Sequence, residues 1–195
     1  MKLKQSQWMM LVGVALLAGI FLMPIWQITL SAPQYPEPIG MNIWINKIVD
    51  MNPYDLKNIN LMNHYVGMAD IPERIPEMDY YSKVIYGMIG LGLFFAFFGK
   101  SFLHLTWLLL MVIIGMFGVY DFWYWEYTYG HNLDPHAAIK FLDEAGNLLT
   151  YQPPLIGEAT ILNFVATSWP HVGAYVLMAS MTLVTLSYLK ARKGH

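Results

Sequence analysis

Apolar positions along the chain gather into four runs long enough to cross a membrane as helices, at about residues 8–30, 84–98, 102–120 and 172–189. A helix needs roughly 20 mostly apolar residues to span hydrocarbon, and somewhat fewer when flanking side chains snorkel. The first run follows Lys2 and Lys4 and contains Pro24, which predicts a kink in its outer third rather than an end. A signal peptide cleaved after Leu30-Ser31-Ala32 is the rival reading. The run is long for that, and Pro33 and Pro36 crowd the cleavage site, so the segment is expected to remain as an anchor. Only Gly99, Lys100 and Ser101 separate the second and third runs, which predicts a tight helical hairpin.

Two long stretches lie between the runs, 31–83 and 121–171. Both mix turn residues with apolar ones, as folded segments do, and are expected to pack together as one small cap. In the first, Met41, Ile43, Trp44, Ile45, Ile48 and Val49 fit either a short strand or an amphipathic turn against the membrane. Leu56, Ile59, Met62 and Tyr65 recur every three residues, which predicts a helix over 55–67 with Gly67 as its stop. In the second, Asp143-Glu144-Ala145-Gly146-Asn147 predicts a hairpin-like turn between 137–142 and 148–151, and Pro153-Pro154 stiffens the chain beyond it. The expected fold is an all-α membrane protein, four transmembrane helices with a small extracytoplasmic cap built from two long loops. Its parts are 1–30 (N-terminus and first helix), 31–83 (first loop), 84–120 (hairpin), 121–171 (second loop) and 172–195 (fourth helix and basic tail).

Composition agrees with a lipid solvent. Of 195 residues 56% are hydrophobic and 12% charged, against about 25% charged in soluble domains; mean hydropathy is +0.41. Lys2, Lys4, Lys100, Lys190, Arg192 and Lys193 crowd three short segments, whereas Lys47, Lys57, Arg74, Lys83 and Lys140 are spread over the long loops. By the positive-inside rule both termini are expected to be cytoplasmic and both loops periplasmic, in the cytoplasmic (inner) membrane. Trp26, Tyr80, Tyr81, Trp123, Tyr124, Trp125 and Trp169 would form the outer aromatic belt. A formal charge of -2, with no basic motif, sets nucleic acid aside.

With no cysteine, disulfides, thiolate metal sites and thiol nucleophiles are excluded. The spans carry no ionisable group at mid-depth: His104, Gln27 and Asp121 sit near span ends, which argues against a pump, a channel or a bis-histidine haem. No nucleophile–base pair, phosphate loop or paired catalytic carboxylate is found, so no enzymatic activity is expected. The loops do concentrate soft-metal ligands, Met41, Met51, Met62, Met68 and Met78 with His64, His131, His136 and His171. Thioether and imidazole together favour copper. His64 and Met68 would share a helix face, and Tyr129-Gly130-His131-Asn132-Leu133-Asp134-Pro135-His136 packs two imidazoles into a Gly/Pro-bounded turn. His64, Met68, His131 and His136 are therefore the candidate metal ligands. The same residues also have a structural reading, since methionine fills gaps in apolar cores and Asn132 and Asp134 are ordinary turn formers.

Four stretches in order carry a resemblance: Ala32-Pro33-Gln34-Tyr35-Pro36, Asn60-Leu61-Met62-Asn63-His64-Tyr65-Val66-Gly67-Met68, Tyr129-Gly130-His131-Asn132-Leu133-Asp134-Pro135, and Tyr151-Gln152-Pro153-Pro154-Leu155-Ile156-Gly157. Together they resemble an uncharacterised family of small membrane proteins associated with nitrous oxide reductase gene clusters. The resemblance implies an accessory protein to a periplasmic copper enzyme, in copper handling, maturation or electron supply, and supplies no catalytic residues. The alternative is a non-catalytic subunit of a larger membrane complex. A quinol-interacting subunit, with a head-group site near Asp121, Trp123 and Glu126, is a further option.

Overall fold

The computed structural model describes residues 3–142, 146, 148–161 and 163–193. Four helices are long and apolar enough to cross a membrane: α1 (Gln5–Gly19, extended by a 3-10 turn to Leu22), α3 (Pro76–Phe98), α4 (Ser101–His131) and α5 (Val172–Lys193). Between α1 and α3 lie β1 (Trp26–Ser31), β2 (Ile39–Ile43), β3 (Ile48–Asp50) and the short helix α2 (Asp55–Val66). Between α4 and α5 lie β4 (Gly157–Ile161) and β5 (Phe164–Pro170).

In the bundle, α1 is central and packs on α5 and α3. Helices in lipid gain little from the hydrophobic effect and associate through close packing and hydrogen bonds. Both devices are present. Gly13 lets α1 approach α5, where a Cβ would stand 2.7 Å from Val184 Cγ2, and Ser180 Oγ donates to Gly13 O at 2.7 Å. Trp107 Nε1 donates to Met88 O at 2.9 Å, tying α4 to α3. Gln7 Nε2 donates to Ala96 O and Phe97 O, both at 2.9 Å. Ser187 Oγ donates to Ser6 O at 2.5 Å. Its proton being thus committed, His104 Nδ1 donates to Ser187 Oγ at 2.9 Å. These contacts put the start of α1, the Gly99 turn and the last turns of α5 at one end of the bundle, opposite the strands.

The strands form one antiparallel sheet in the order β3-β2-β1-β5-β4. The two long loops are joined by β1 against β5, with Ile28 opposite Ser168 and Thr29 opposite Thr167. The expectation that they pack as one cap holds, but the chain is not all-α. Along β1 the order Trp26-Gln27-Ile28-Thr29-Leu30-Ser31 alternates apolar and polar, and the sheet alternates with it. Ile28, Ile39, Met41, Ile43 and Ile48 face inward onto α2 and the outer end of α4. Gln27 bonds Asn42 at 3.0 Å and Thr29 bonds Thr167 at 2.6 Å on the other face.

Three boundaries differ from expectation. The first helix stops at Leu22, and residues expected as its outer third are β1; Pro24 ends the helix because it offers no amide for the ladder. The second span begins at Pro76 rather than near residue 84, with Pro76 at the first helical position and Glu77 and Asp79 in the first turn, all favourable there. The third does not end at residue 120: α4 continues to His131, so 121–131 is helix and not loop. For 41–49 the strand alternative holds, as β2 and β3. The 55–67 helix is present, and Gly67 closes it at φ +84, donating to Asn63 O. The predicted turn at 143–147 falls largely outside the described residues; beside it Leu142 bridges Leu148 in antiparallel sense.

Among the described non-glycine residues Tyr54, before α2, has positive φ, +72. That conformation costs a side chain about 1–2 kcal/mol, and Tyr54 is exposed, so little packing is at stake. Tyr54→Gly is expected to raise the unfolding midpoint, by up to about 1 kcal/mol in stability after the entropy of the added glycine. A lower midpoint in denaturant titration would contradict this.

Candidate functional site

Thirty-one residues of α4 at 1.5 Å each make a helix about 15 Å longer than a 30 Å hydrocarbon core. Its last three turns, an excess of about that length, form a projection beneath the sheet. One side of this projection is buried, Phe122, Trp125 and Tyr129 packing on the sheet core. The other carries an exposed aromatic ladder: Tyr120 to Trp123 at 6.0 Å, Trp123 to Tyr127 at 5.6 Å, and Tyr127 to His131 at 3.9 Å between ring centres.

At the tip of the projection the two loops meet. Gly67, in its left-handed conformation, accepts a bond from Asp134 N at 2.8 Å, and a Cβ there would lie 2.9 Å from Asp134 O. This contact forms a shallow open groove of about 660 Å³ lined by Gly67, Met68, Ala69, His131, Asn132, Leu133 and Asp134. Two of the four candidate ligands, Met68 from the first loop and His131 from the end of α4, thus line the same groove. His64 and His136 are exposed and do not line it. His131 is the last residue of α4 rather than part of a turn. Its Nδ1 lies 2.9 Å from Tyr127 O; a carbonyl only accepts, so Nδ1 carries the proton and Nε2 is left with a free lone pair. A backbone carbonyl holding one ring nitrogen is the arrangement that orients metal-binding histidines. One thioether and one such imidazole fit Cu(I). Among the described residues no three His, Asp or Glu side chains converge on a common point.

A second feature lies lower on α4. Glu126 is wholly buried, and neither carboxyl oxygen has a hydrogen-bond partner among the described residues. The second loop packs on α4 one helical turn further along. Gln152 presses on Gly130, where a Cβ would meet Gln152 N at 2.6 Å, and Tyr151 N donates to Gly130 O at 3.0 Å. Leu155 reaches the helix near Val119 and Trp123. Seven helical residues from Trp123 to Gly130 rise about 10.5 Å, and the extended steps from Gln152 to Leu155 span about the same length. Between these two contacts the segment forms a strap that carries Pro153 and Pro154, which have no amide to offer a carboxyl oxygen. The sequence placed Glu126 at a membrane junction; it is buried within helix because α4 continues past residue 120. Tyr151, at the strap's start, is buried, and desolvation holds its phenol pKa above the usual value.

A scan against protein-family models and a search of curated proteins both return no match to this chain.

Proposed function

We propose that this chain is a membrane-anchored accessory protein without catalytic activity, whose cap holds copper for, or docks, a periplasmic copper enzyme such as nitrous oxide reductase during maturation or electron supply. The observation that carries the reading is the meeting of Met68 and His131 in one groove, with His131 Nε2 left free by the bond of Nδ1 to Tyr127 O. The loop resemblance supplies the context, and the spread of lysines supports a periplasmic cap with cytoplasmic termini in the inner membrane. His64 and His136, exposed outside the groove, become auxiliary ligands at most.

Anaerobic titration of the purified protein with Cu(I) against a competing chelator tests this. Binding at sub-micromolar free copper is expected, weakened at least tenfold by Met68→Leu and by His131→Phe but little by His64→Ala. No binding, or equal binding by all variants, overturns the ligand assignment.

The exposed aromatic ladder favours a second reading, a non-catalytic subunit of a larger membrane complex, because aromatic side chains are enriched at protein interfaces. Native mass measurement after mild extraction separates the two. A metal-loaded monomer supports the first reading and a large metal-free complex the second.

A further inference from the structure

The buried carboxyl of Glu126 is the member of the polar inventory that the copper reading leaves unused. Burying a polar group without a partner is costly, and such groups persist where something outside the protein satisfies them. Its position on α4 indicates where that partner arrives. Val112, Gly115, Met116, Val119, Tyr120 and Trp123 line an open apolar groove of about 660 Å³ on the side of α4 turned away from the bundle. Val112, Val119 and Glu126 are successive sevenths, two helical turns apart, so Glu126 stands on the same helix face at the groove's outer end. Leu155, from the second loop, completes the groove's lining.

We propose that this groove and Glu126 form a binding site for a lipid-soluble quinol, its tail along Val112 to Val119 and its hydroxyl donating to the Glu126 carboxyl. Three observations select this ligand class. The groove lies on a helix long and apolar enough to cross a membrane and its lining is apolar apart from the Tyr120 hydroxyl and the Trp123 indole, which suits a ligand that comes from the bilayer. The two carboxyl oxygens have no partner among the described residues, and a quinol hydroxyl can both donate and accept. No Lys, Arg or His lines the groove, which disfavours a phospholipid phosphate or a fatty-acid carboxylate. Trp123 in the groove wall offers an aromatic face suited to a planar ring.

The test uses the full chain in phosphatidylcholine nanodiscs, with decylubiquinol kept reduced as probe and tryptophan fluorescence as readout, Trp123 being in the groove wall. Saturable quenching is expected, with affinity at least tenfold lower in both Glu126→Leu and Gly115→Phe. A Cβ at Gly115 meets nothing within 4 Å, so that variant fills the groove without disturbing the fold. Glu126→Leu, which removes an unpartnered buried carboxyl, should melt at a higher temperature than the native chain while losing the quinol, a divergence that a merely structural role would not give. Absence of saturable quenching, affinity unchanged in either variant, or equal competition by dodecanol, which has the hydroxyl and tail but no ring, overturns the proposal. Copper binding at Met68 and His131 is expected to be unaffected by either substitution, so the two sites succeed or fail separately.

Discussion

Replacing Asp55 by alanine is expected to destabilise the cap by about 3 kcal/mol, the cost of stranding buried donors that a carboxylate had satisfied. Asp55 opens α2 yet is only 3% exposed. Its Oδ2 accepts from Gly40 N at 2.9 Å and from Asn52 N at 2.9 Å, holding the start of α2 against strand β2. Gly40 is buried, so its amide loses its acceptor when the Asp55 carboxyl is removed. The neighbouring Asp50 Oδ1 accepts from Leu56 N at 2.6 Å, so two carboxylates occupy the positive end of the same helix. Asp55→Asn keeps one acceptor oxygen and should lose less than half as much. Hydrogen exchange on the amides of β2 and α2 reads the effect directly. Equal protection in the native and alanine chains would contradict it.

The second large effect lies in the bundle. A Cβ at Gly92 would stand 2.5 Å from Val14 Cγ2 and 2.9 Å from Trp107 Nε1. Trp107 cannot readily give way, being fully buried and bonded to Met88 O. Gly92→Leu is therefore expected to cost about 3 kcal/mol or more by overpacking where α1, α3 and α4 meet. Gly87 and Gly90 sit on the same helix with nothing within 4 Å. Leucine at either should leave the melting temperature in detergent unchanged or raise it, since glycine is a poor helix former. A similar loss at all three positions would mean that the packing at Gly92 is not as described.

The sequence made the helical spans legible because length and hydropathy suffice to recognise them, and it made Gly67 legible because a glycine ending a three-residue rhythm has one common use. Strand β1 was hidden by its neighbour: Ile25, Trp26, Ile28 and Leu30 prolong the apolar run of α1, so the run read as one long span. The signal was present, since beyond Pro24 the period changes from that of a helix to two. The projection of α4 was obscured in the same way, because a stretch as aromatic as 120–129 suggests an interfacial belt as readily as a helix with one buried and one exposed side. What no local pattern carried was the pairing of β1 with β5, between residues such as Thr29 and Thr167 that are 138 positions apart. The two candidate sites depend on such joins. Met68 and His131 share a groove only because the Gly67 turn seats on Asp134, and Glu126 lies one helical turn before Gly130, where Gln152 of the second loop packs.

The common basis of both sites is that two segments far apart in the chain form one sheet-bonded cap at one end of the bundle. The absence of cysteine allows a direct measurement, since any disulfide in an engineered double-cysteine chain reports only the introduced pair. Thr29 and Thr167 are register partners on β1 and β5 with side-chain oxygens 2.6 Å apart, a proximity that suits a disulfide. Thr160, on β4, is two strands from β1. Spontaneous oxidation of the Thr29→Cys/Thr167→Cys chain, read as a mobility shift reversed by reductant, with none for Thr29→Cys/Thr160→Cys, is the predicted result. No cross-link in the first pair, or equal cross-linking in both, would contradict a cap built by joining the two loops.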